Sequence, residues 1–599
     1  MVTATAQQEL RPTLALGMGL MRSWCMHHGA GSSPEAGVVP RVLAARGLLE
    51  GADAFLDPKL TQLIEPALMP DMDRAAQRLL RAARDGERVV IYGDYDVDGV
   101  TSTAILLRTL RAIAPGADVR TYVPHRLEEG YGLNAKAIAS LAGEGARVIV
   151  TVDCGITAHA PAMVAQQHGV DLIITDHHNP PERMEDLPPA YAVVHPRRPD
   201  SVYPFGDLSG AGVAYKLAWR MAALDGVGGR ARPELRALLV ELLAFAALGA
   251  IADVVPLVGE NRVIAAHGLA RVRHSPFAGL RALVEASGLA GEKIGEYDAG
   301  FRLAPRLNAC GRLGHAKDAV ELFCTDDAAK AARIARQLDE VNIQRRAAEH
   351  AIVAEATQRA IDAGMTGDDA RAIVLADPGW HAGVVGICCS RLVDRFARPA
   401  LLLHTDPATG ESHGSGRSID AYNLHAGLHA CAQHLVSYGG HDMAAGLRVR
   451  SGALEAFTRD FVAHATARIA PEQMVHRLEI DTHAQPGELS LGVVRRLLAL
   501  RPFGRGNPAV RILLRGVRLL EQPRAFGAHG AHLELTVGDD HARLRITAWR
   551  LGQLRTDEPE RFAGALARGV PVEVVIEPKI DTYGHEKPAG ELVDLRAAT

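Results

Sequence analysis

The 599-residue sequence predicts an α/β protein: a parallel-sheet domain joined by a long helix to a second α/β domain, followed by a C-terminal β-barrel. Three observations predict it. Between residues 87 and 215, short β-branched runs alternate with helical patterns, the rhythm of a parallel sheet covered on both faces. Residues 326–363 contain neither proline nor glycine and place apolar residues at helical spacing. Beyond residue 475 the apolar period becomes two, with turn residues between the runs.

In the first domain, strands are expected over residues 89–92, 119–123, 148–152 and 172–175, and helices over 101–113, 134–141 and 158–168. An apolar helix over 235–251 then delivers Asp253 to the end of the domain. In the connector, Ile334, Leu338, Val341, Ala348 and Ile352 share a face; Thr325 or Asp326 can cap its start and Gly364 ends it. Such a helix is about 55 Å long and spans between domains. The second α/β unit begins with strands at 373–376 and 401–404 and carries Gly- and His-rich loops to about residue 465. The barrel strands are marked by Leu533, Leu535 and Val537, by Leu544, Ile546 and Ala548, and by Val570, Val572, Val574 and Ile576. The expected boundaries are 1–40 for a poorly ordered lead-in, 41–265, 266–365, 366–470 and 471–599.

Composition bounds the function. The chain is 48% apolar and 23% charged, with a net charge of −4, so nucleic acid would have to be held by local basic surfaces. Seven cysteines, two of them adjacent at Cys388 and Cys389, suit no disulfide framework, and the absence of Cys-x-x-Cys argues against a zinc knuckle. Both fit a cytoplasmic protein. No stretch is read as approaching the roughly 18 apolar residues of a membrane span.

Four clusters of acids and histidines carry the chemistry: Asp94-Tyr95-Asp96-Val97-Asp98-Gly99, Asp153-Cys154-Gly155, Asp176-His177-His178 and Asp253. The first three directly follow predicted strands, so their side chains converge on the crevice where open α/β sheets bind ligands. Several carboxylates there repel one another unless cations neutralise them. Oxygen ligands suit Mg²⁺, and an imidazole such as His177 tilts the choice toward Mn²⁺. Asp153 could bridge two ions, a spacing used to clamp an in-line phosphoryl displacement. Taken singly, each cluster has a plainer reading. The acidic triplet resembles the start of a calcium loop, yet Ile105 stands where that loop needs glutamate. Asp153 could cap a helix, Asp253 could be a surface acid, and the histidine pair could be a turn. All four at one sheet edge are hard to attribute to capping.

Downstream, Arg306, Asn308 and Arg312 form a compact polar element, and Ser415-Gly416-Arg417 and Gly439-Gly440-His441 read as glycine-flanked loops suited to phosphate. His381, after Trp380, either contacts substrate or starts a helix. Residues 495–524 hold eight arginines against one acid, and Arg501, Phe503, Arg505 and Arg511 are the candidates there for gripping a single strand.

Together these motifs resemble the RecJ family of single-strand-specific 5′-to-3′ DNA exonucleases within the DHH phosphoesterase superfamily. The resemblance runs from Arg46-Gly47 and Phe55-Leu56 through Tyr92–Gly99, Val152–Gly155, Thr175–His178, Gly249–Asp253 and Pro305–Arg312 to Ser415–Arg417, Gly439–His441 and Pro502–Pro508. It implies a DHH domain, a DHH-associated domain and an OB-fold. It implies Asp96, Asp98, Asp153, His177 and Asp253 as ligands of two divalent cations, Mn²⁺ or Mg²⁺, with Asp94 and His178 as further ligands or substrate contacts. Asp98 and His178 are the expected catalytic pair. Ser415, Arg417 and His441, with Gly440, would contact phosphates in a channel too narrow for duplex. Implied partners are single-stranded DNA, a helicase and a single-strand-binding protein, with the enzyme a monomer in repair and recombination. Two other functions compete: a phosphodiesterase for short oligonucleotides or cyclic dinucleotides, and a DNA-binding relative without metals.

Overall fold

The first domain is organised by five parallel strands in the spatial order Val119–Tyr122, Val89–Gly93, Val148–Val152, Asp171–Thr175 and Ala192–Val194. The structure is a computed structural model that describes residues 13–27, 37–126, 129–130, 132–557, 559–562, 564 and 566–598. The two central strands are buried along their whole length, which is why they read as unbroken β-branched runs. Chain order reverses between them, so a crevice opens at their carboxyl ends. The fifth strand, Ala192–Val194, escaped the sequence reading: three residues between Pro189 and Pro196 are too few to show a period.

Helix Val97–Ile113 starts four residues earlier than expected because Asp96, not a hydroxyl, caps it. Helix Pro233–Ala252 corrects a second expectation. It is long and apolar enough to cross a membrane by length and composition. Here it packs against Val97–Ile113, Gly210–Asp225 and Gly259–Val272, with Leu242, Leu243, Phe245 and Ala246 fully buried. Its all-round apolar character is that of a core helix.

The connector is Ala328–Asp362, 35 residues or about 52 Å. Asp327 caps it by accepting from Ala329 N and Lys330 N, whereas Asp326 pairs with Arg108 at 3.0 Å. Ile334 and Leu338 belong to the first core, Ile352 and Ala356 to the second. That second core lies under five strands in the order Leu435–Gly440, Ala444–Val449, Ser412–Arg417, Ala400–Thr405 and Ile373–Asp377, of which only the last two are parallel. The glycine-flanked segments read as loops are therefore strands; glycine hides a strand because it has low β-propensity.

The barrel is a ring of Ile512–Leu519, His532–Gly538, Arg543–Ala548, Lys587–Ala597 and Pro571–Asp581, closed by antiparallel pairing of the first with both the second and the last. The loose lead-in expected over 1–40 is corrected for residues 13–27; residues 1–12 and 28–36 lie outside the described residues. Thr13–Met18 and Ser23–His27 form a sheet with Arg477–Ile480. Trp24 is fully buried, and its indole donates to Asp594 Oδ2 at 2.8 Å. Asp594 also accepts from Met21 N, Arg22 N and Leu595 N. A tryptophan with one polar partner carries no periodicity, so the sequence could not announce this packing. Asp594→Ala strands these buried donors and should cost about 1–3 kcal/mol, read as a lower melting temperature with earlier exposure of Trp24 fluorescence.

Candidate metal centre

Every cluster singled out at the sheet edge arrives at one place. Asp94 follows strand Val89–Gly93, Asp153 follows Val148–Val152, His177 and His178 follow Asp171–Thr175, and Asp253 terminates Pro233–Ala252. Among the described residues the side chains form three overlapping triplets, Asp94/Asp96/Asp153, Asp98/His177/Asp253 and Asp153/His177/His178, within each of which the potential ligand atoms lie within 4.8 Å of one another. His177 Nε2 stands 3.1 Å from Asp153 Oδ1, 3.5 Å from Asp253 Oδ2 and 3.8 Å from Asp98 Oδ2, so the triplets adjoin through Asp153.

Local structure holds each group. Asp96 Oδ1 accepts from Asp98 N and Gly99 N at 2.9 and 3.1 Å. Asp98 is gripped by the start of helix Gly210–Asp225, accepting from Gly210 N at 2.6 Å and Ala211 N at 2.9 Å. Helix N-termini favour such negative charge. Asp153 adopts φ 63°, in the left-handed region that aspartate tolerates better than most residues. Val254, next to Asp253, has φ 58°, which a β-branched residue rarely adopts and which marks strain beside the site.

The electrostatics favour a cation, because without one these crowded carboxyls hold protons instead. Burial, then repulsion from Asp96, raises the Asp98 carboxyl to about 7. Burial, then Asp98, raises Asp253 to about 8. Asp94 and Asp153 are pushed well above the usual carboxylate range by burial and by neighbouring aspartates. Burial, with help from His178, lowers His177 to about 3, leaving the neutral imidazole that ligates metals. Asp94 Oδ1, Asp153 Oδ1 and His177 Nε2 are buried with no hydrogen-bond partner. Carboxyl oxygens that a cation would ionise, a neutral imidazole nitrogen and buried atoms without hydrogen bonds fit Mn²⁺ or Mg²⁺.

Asp176, named in the third cluster but given no role there, organises its neighbours. Its Oδ1 accepts from His177 N at 2.7 Å and His178 N at 3.1 Å and pairs with His178 Nδ1 at 2.7 Å; Oδ2 accepts from Ile156 N at 2.9 Å. Burial opposes charge on both partners, but their mutual bond outweighs it, depressing Asp176 and raising His178 to about 9. His195 supports the pair by bonding the His178 carbonyl at 2.7 Å. Its sequence signal was position alone, one residue before the histidines. Asp176→Ala should weaken Mn²⁺ affinity about 10- to 100-fold, the usual cost of removing a group that orients a ligand, measured by titration calorimetry.

The downstream candidates divide. Asn308 accepts from Val97 N at 3.1 Å and so braces the Asp96–Asp98 turn. Arg306 is engaged by Asp339 at 2.8 Å, and His381 caps helix Ala382–Phe396 by accepting from Gly383 N. Arg312 donates to the Gly383 carbonyl at 3.2 Å; burial, then Arg126, Arg345 and Arg417, lowers it to about 10. Arg126, which the sequence reading missed, lies over the Tyr95 ring at 4.8 Å. Ser415 and Arg417 share strand Ser412–Arg417, and Gly440 sits at φ 135° opposite Ala445, which also opposes Gly416. His441 N donates to the Ala444 carbonyl.

Five of the eight arginines in 495–524 have carboxylate partners: Arg495 with Glu586, Arg501 with Glu296, Arg511 with Glu577, Arg515 with Glu573 and Arg524 with Glu534. The basic stretch is thus largely neutralised by acids brought in by the fold. Phe503 packs against the barrel core, under the Arg501 guanidinium at 5.7 Å. Arg505 lies close enough to Asp253 to offset its charge.

Comparisons with known proteins agree with this geometry. The chain matches the models of the DHH family N-terminal domain over residues 88–249, the DHHA1 domain over 369–467 and the RecJ OB domain over 480–589. It is 37% identical to the single-stranded-DNA-specific exonuclease RecJ of Bacillus subtilis over 92% of this chain and 66% of that protein. The Thermus thermophilus protein of that name is 37% identical over 86% of this chain and 70% of its own length, and that of Escherichia coli 32% over 83% and 86%. The crystal structure of Thermus thermophilus RecJ with Mn²⁺ superposes with a TM-score of 0.77 at 32% identity, covering 96% of this chain and 80% of that one. The chain belongs to the RecJ family.

Proposed function

We propose that this chain is a single-stranded-DNA-specific exonuclease that hydrolyses phosphodiester bonds from the 5′ end and releases mononucleotides, in DNA repair and recombination. One observation carries the reading: overlapping ligand triplets at the carboxyl edge of the parallel sheet, with Asp153 a member of two of them and 3.1 Å from His177. Asp94, Asp96 and Asp153 would hold one divalent cation and Asp98, His177 and Asp253 the other. Mn²⁺ and Mg²⁺ both suit these ligands, and RecJ of Thermus thermophilus was crystallised with each. When bound, such a pair supplies an activated water and neutralises charge on the phosphate.

The chain's own groups do the rest. Asp98 is fixed by two backbone N–H groups, so the ligand set is preorganised. His178, held charged by Asp176, offers a proton to a phosphate or leaving oxygen beside Asp153. Arg126, Arg345 and Arg417 converge on Arg312 and repel it, an arrangement that an anionic phosphate would relieve. They grip the strand end, with Ser415. Arg417→Ala should raise KM about 10- to 100-fold, the worth of a charged hydrogen bond, with a smaller effect on kcat.

The barrel supplies the approach for a single strand. A helicase and a single-strand-binding protein are the partners that would present such strands. One chain carries all three triplets, so a monomer suffices, and seven cysteines with no disulfide among them suit the cytoplasm. The test offers 5′-labelled and 3′-labelled single strands, blunt duplex and a dinucleotide, with Mn²⁺, Mg²⁺ or chelator. Mononucleotides should appear first from the 5′ end of single strands, only with metal. Release from the 3′ end, or equal attack on blunt duplex, would overturn the reading.

A further inference from the structure

Two aromatic rings stand in water between the metal centre and the barrel. Tyr297 and Phe301, one helical turn apart, are 65% and 68% exposed, with ring centroids 5.0 Å apart and planes inclined by 26°. Phe301 lies in a π-helical turn, Ala299–Leu303, that follows directly on the α-helical turn Glu296–Asp298 carrying Tyr297; π-turns recur at functional sites. Ala299 and Leu303 are buried in the first core, so the turn is anchored while the rings are not covered.

The turn touches both ends of the path a strand would take. Gly300 lies against the helix that ends at Asp253: a Cβ there would be in ordinary contact, 3.6 Å, with Ile251 Cγ2. At the other end Glu296 pairs with Arg501 at 3.2 Å, in the lead to the barrel, where Arg505 also lies near Asp253. The neighbouring arginines are already engaged. Arg302 holds Asp298 at 3.3 Å and the Ser287 carbonyl at 3.1 Å, and Arg306 holds Asp339. What remains on offer is ring face rather than charge. Ring faces bind nucleobases regardless of sequence, which a nuclease acting on every nucleotide in turn requires.

We propose that Tyr297 and Phe301 form a base-stacking platform that positions the single strand as it passes from the barrel to the metal centre. The inference rests on the single-strand function proposed above. The test places 2-aminopurine at successive positions of an oligonucleotide and measures fluorescence on binding with chelator present, so no turnover is needed. Quenching should peak at one or two neighbouring positions in the wild type and vanish there in the Tyr297→Ala, Phe301→Ala double variant. In Mn²⁺ the double variant should raise KM about 10- to 100-fold, with a smaller change in kcat. Tyr297→Phe with Phe301→Tyr should restore it. A strand abasic at the quenched positions should bind wild type and double variant equally. Unchanged KM, or undiminished preference of the double variant for the intact over the abasic strand, would overturn the platform. If wild type binds and quenches but does not degrade strands from the 5′ end, the function fails and the platform stands.

Discussion

Asp153→Asn should lower turnover on single-stranded DNA by roughly 10³-fold or more, while strand affinity stays within a few-fold. Asp153 belongs to two of the triplets, and its buried Oδ1 accepts no hydrogen bond while standing 3.1 Å from His177 Nε2. Asparagine keeps the volume and tolerates the φ of 63°, so the substitution removes charge and little else. Asp98→Ala should abolish turnover as well, but it also leaves Gly210 N and Ala211 N without their acceptor, so that variant should melt earlier. Steady-state kinetics with labelled strands, together with fluorescence anisotropy for binding, separate the two losses. Undiminished cleavage by either variant would remove that aspartate from the centre.

Gly249→Ala should be nearly as damaging although it adds one methyl group. A Cβ at Gly249 would lie 2.3 Å from Asp98 Oδ1, 2.6 Å from Ala211 Cβ and 2.7 Å from Thr101 Oγ1. All three neighbours are buried, so helix Pro233–Ala252 must move, and Asp253 at its end moves with it. Overpacking of this kind costs about 1–3 kcal/mol. A displacement of about 1 Å at reacting groups costs on the order of 10²-fold in rate. Gly210→Ala should act likewise on Asp153, since its Cβ would lie 2.5 Å from Asp153 Oδ1. Gly116→Ala, which meets nothing within 4 Å, is the control. Wild-type kcat in Gly249→Ala would show that the helices can separate without disturbing the ligands.

The contrast between what the sequence announces and what it conceals follows from the range of the forces involved. Asp94, Asp96, Asp98, Asp153, His177 and Asp253 were legible because each sits at the end of a strand or helix with a clear period. A parallel sheet brings such ends together. Asp176 was hidden in the same motif because its work is to hold its neighbours' N–H groups, a contact that spacing does not report. Arg126 and the partnership of Arg312 with Arg417 depend on how two domains meet. Arg306 and His381 looked like substrate contacts until Asp339 and the start of a helix claimed them. Five arginines of the arginine-rich stretch also meet acids that lie elsewhere in the chain, Glu296, Glu534, Glu573, Glu577 and Glu586. Trp24 found its place in a sheet closed by residues more than 450 positions away.

The most direct test of the paired triplets is a Mn²⁺ titration of the intact chain followed by electron paramagnetic resonance and calorimetry. Two ions per chain, magnetically coupled as neighbours about 3.5–4 Å apart are, is the predicted result, with occupancy or coupling lost in Asp153→Asn. A single uncoupled ion in the wild type, or full coupling without Asp153, would contradict it.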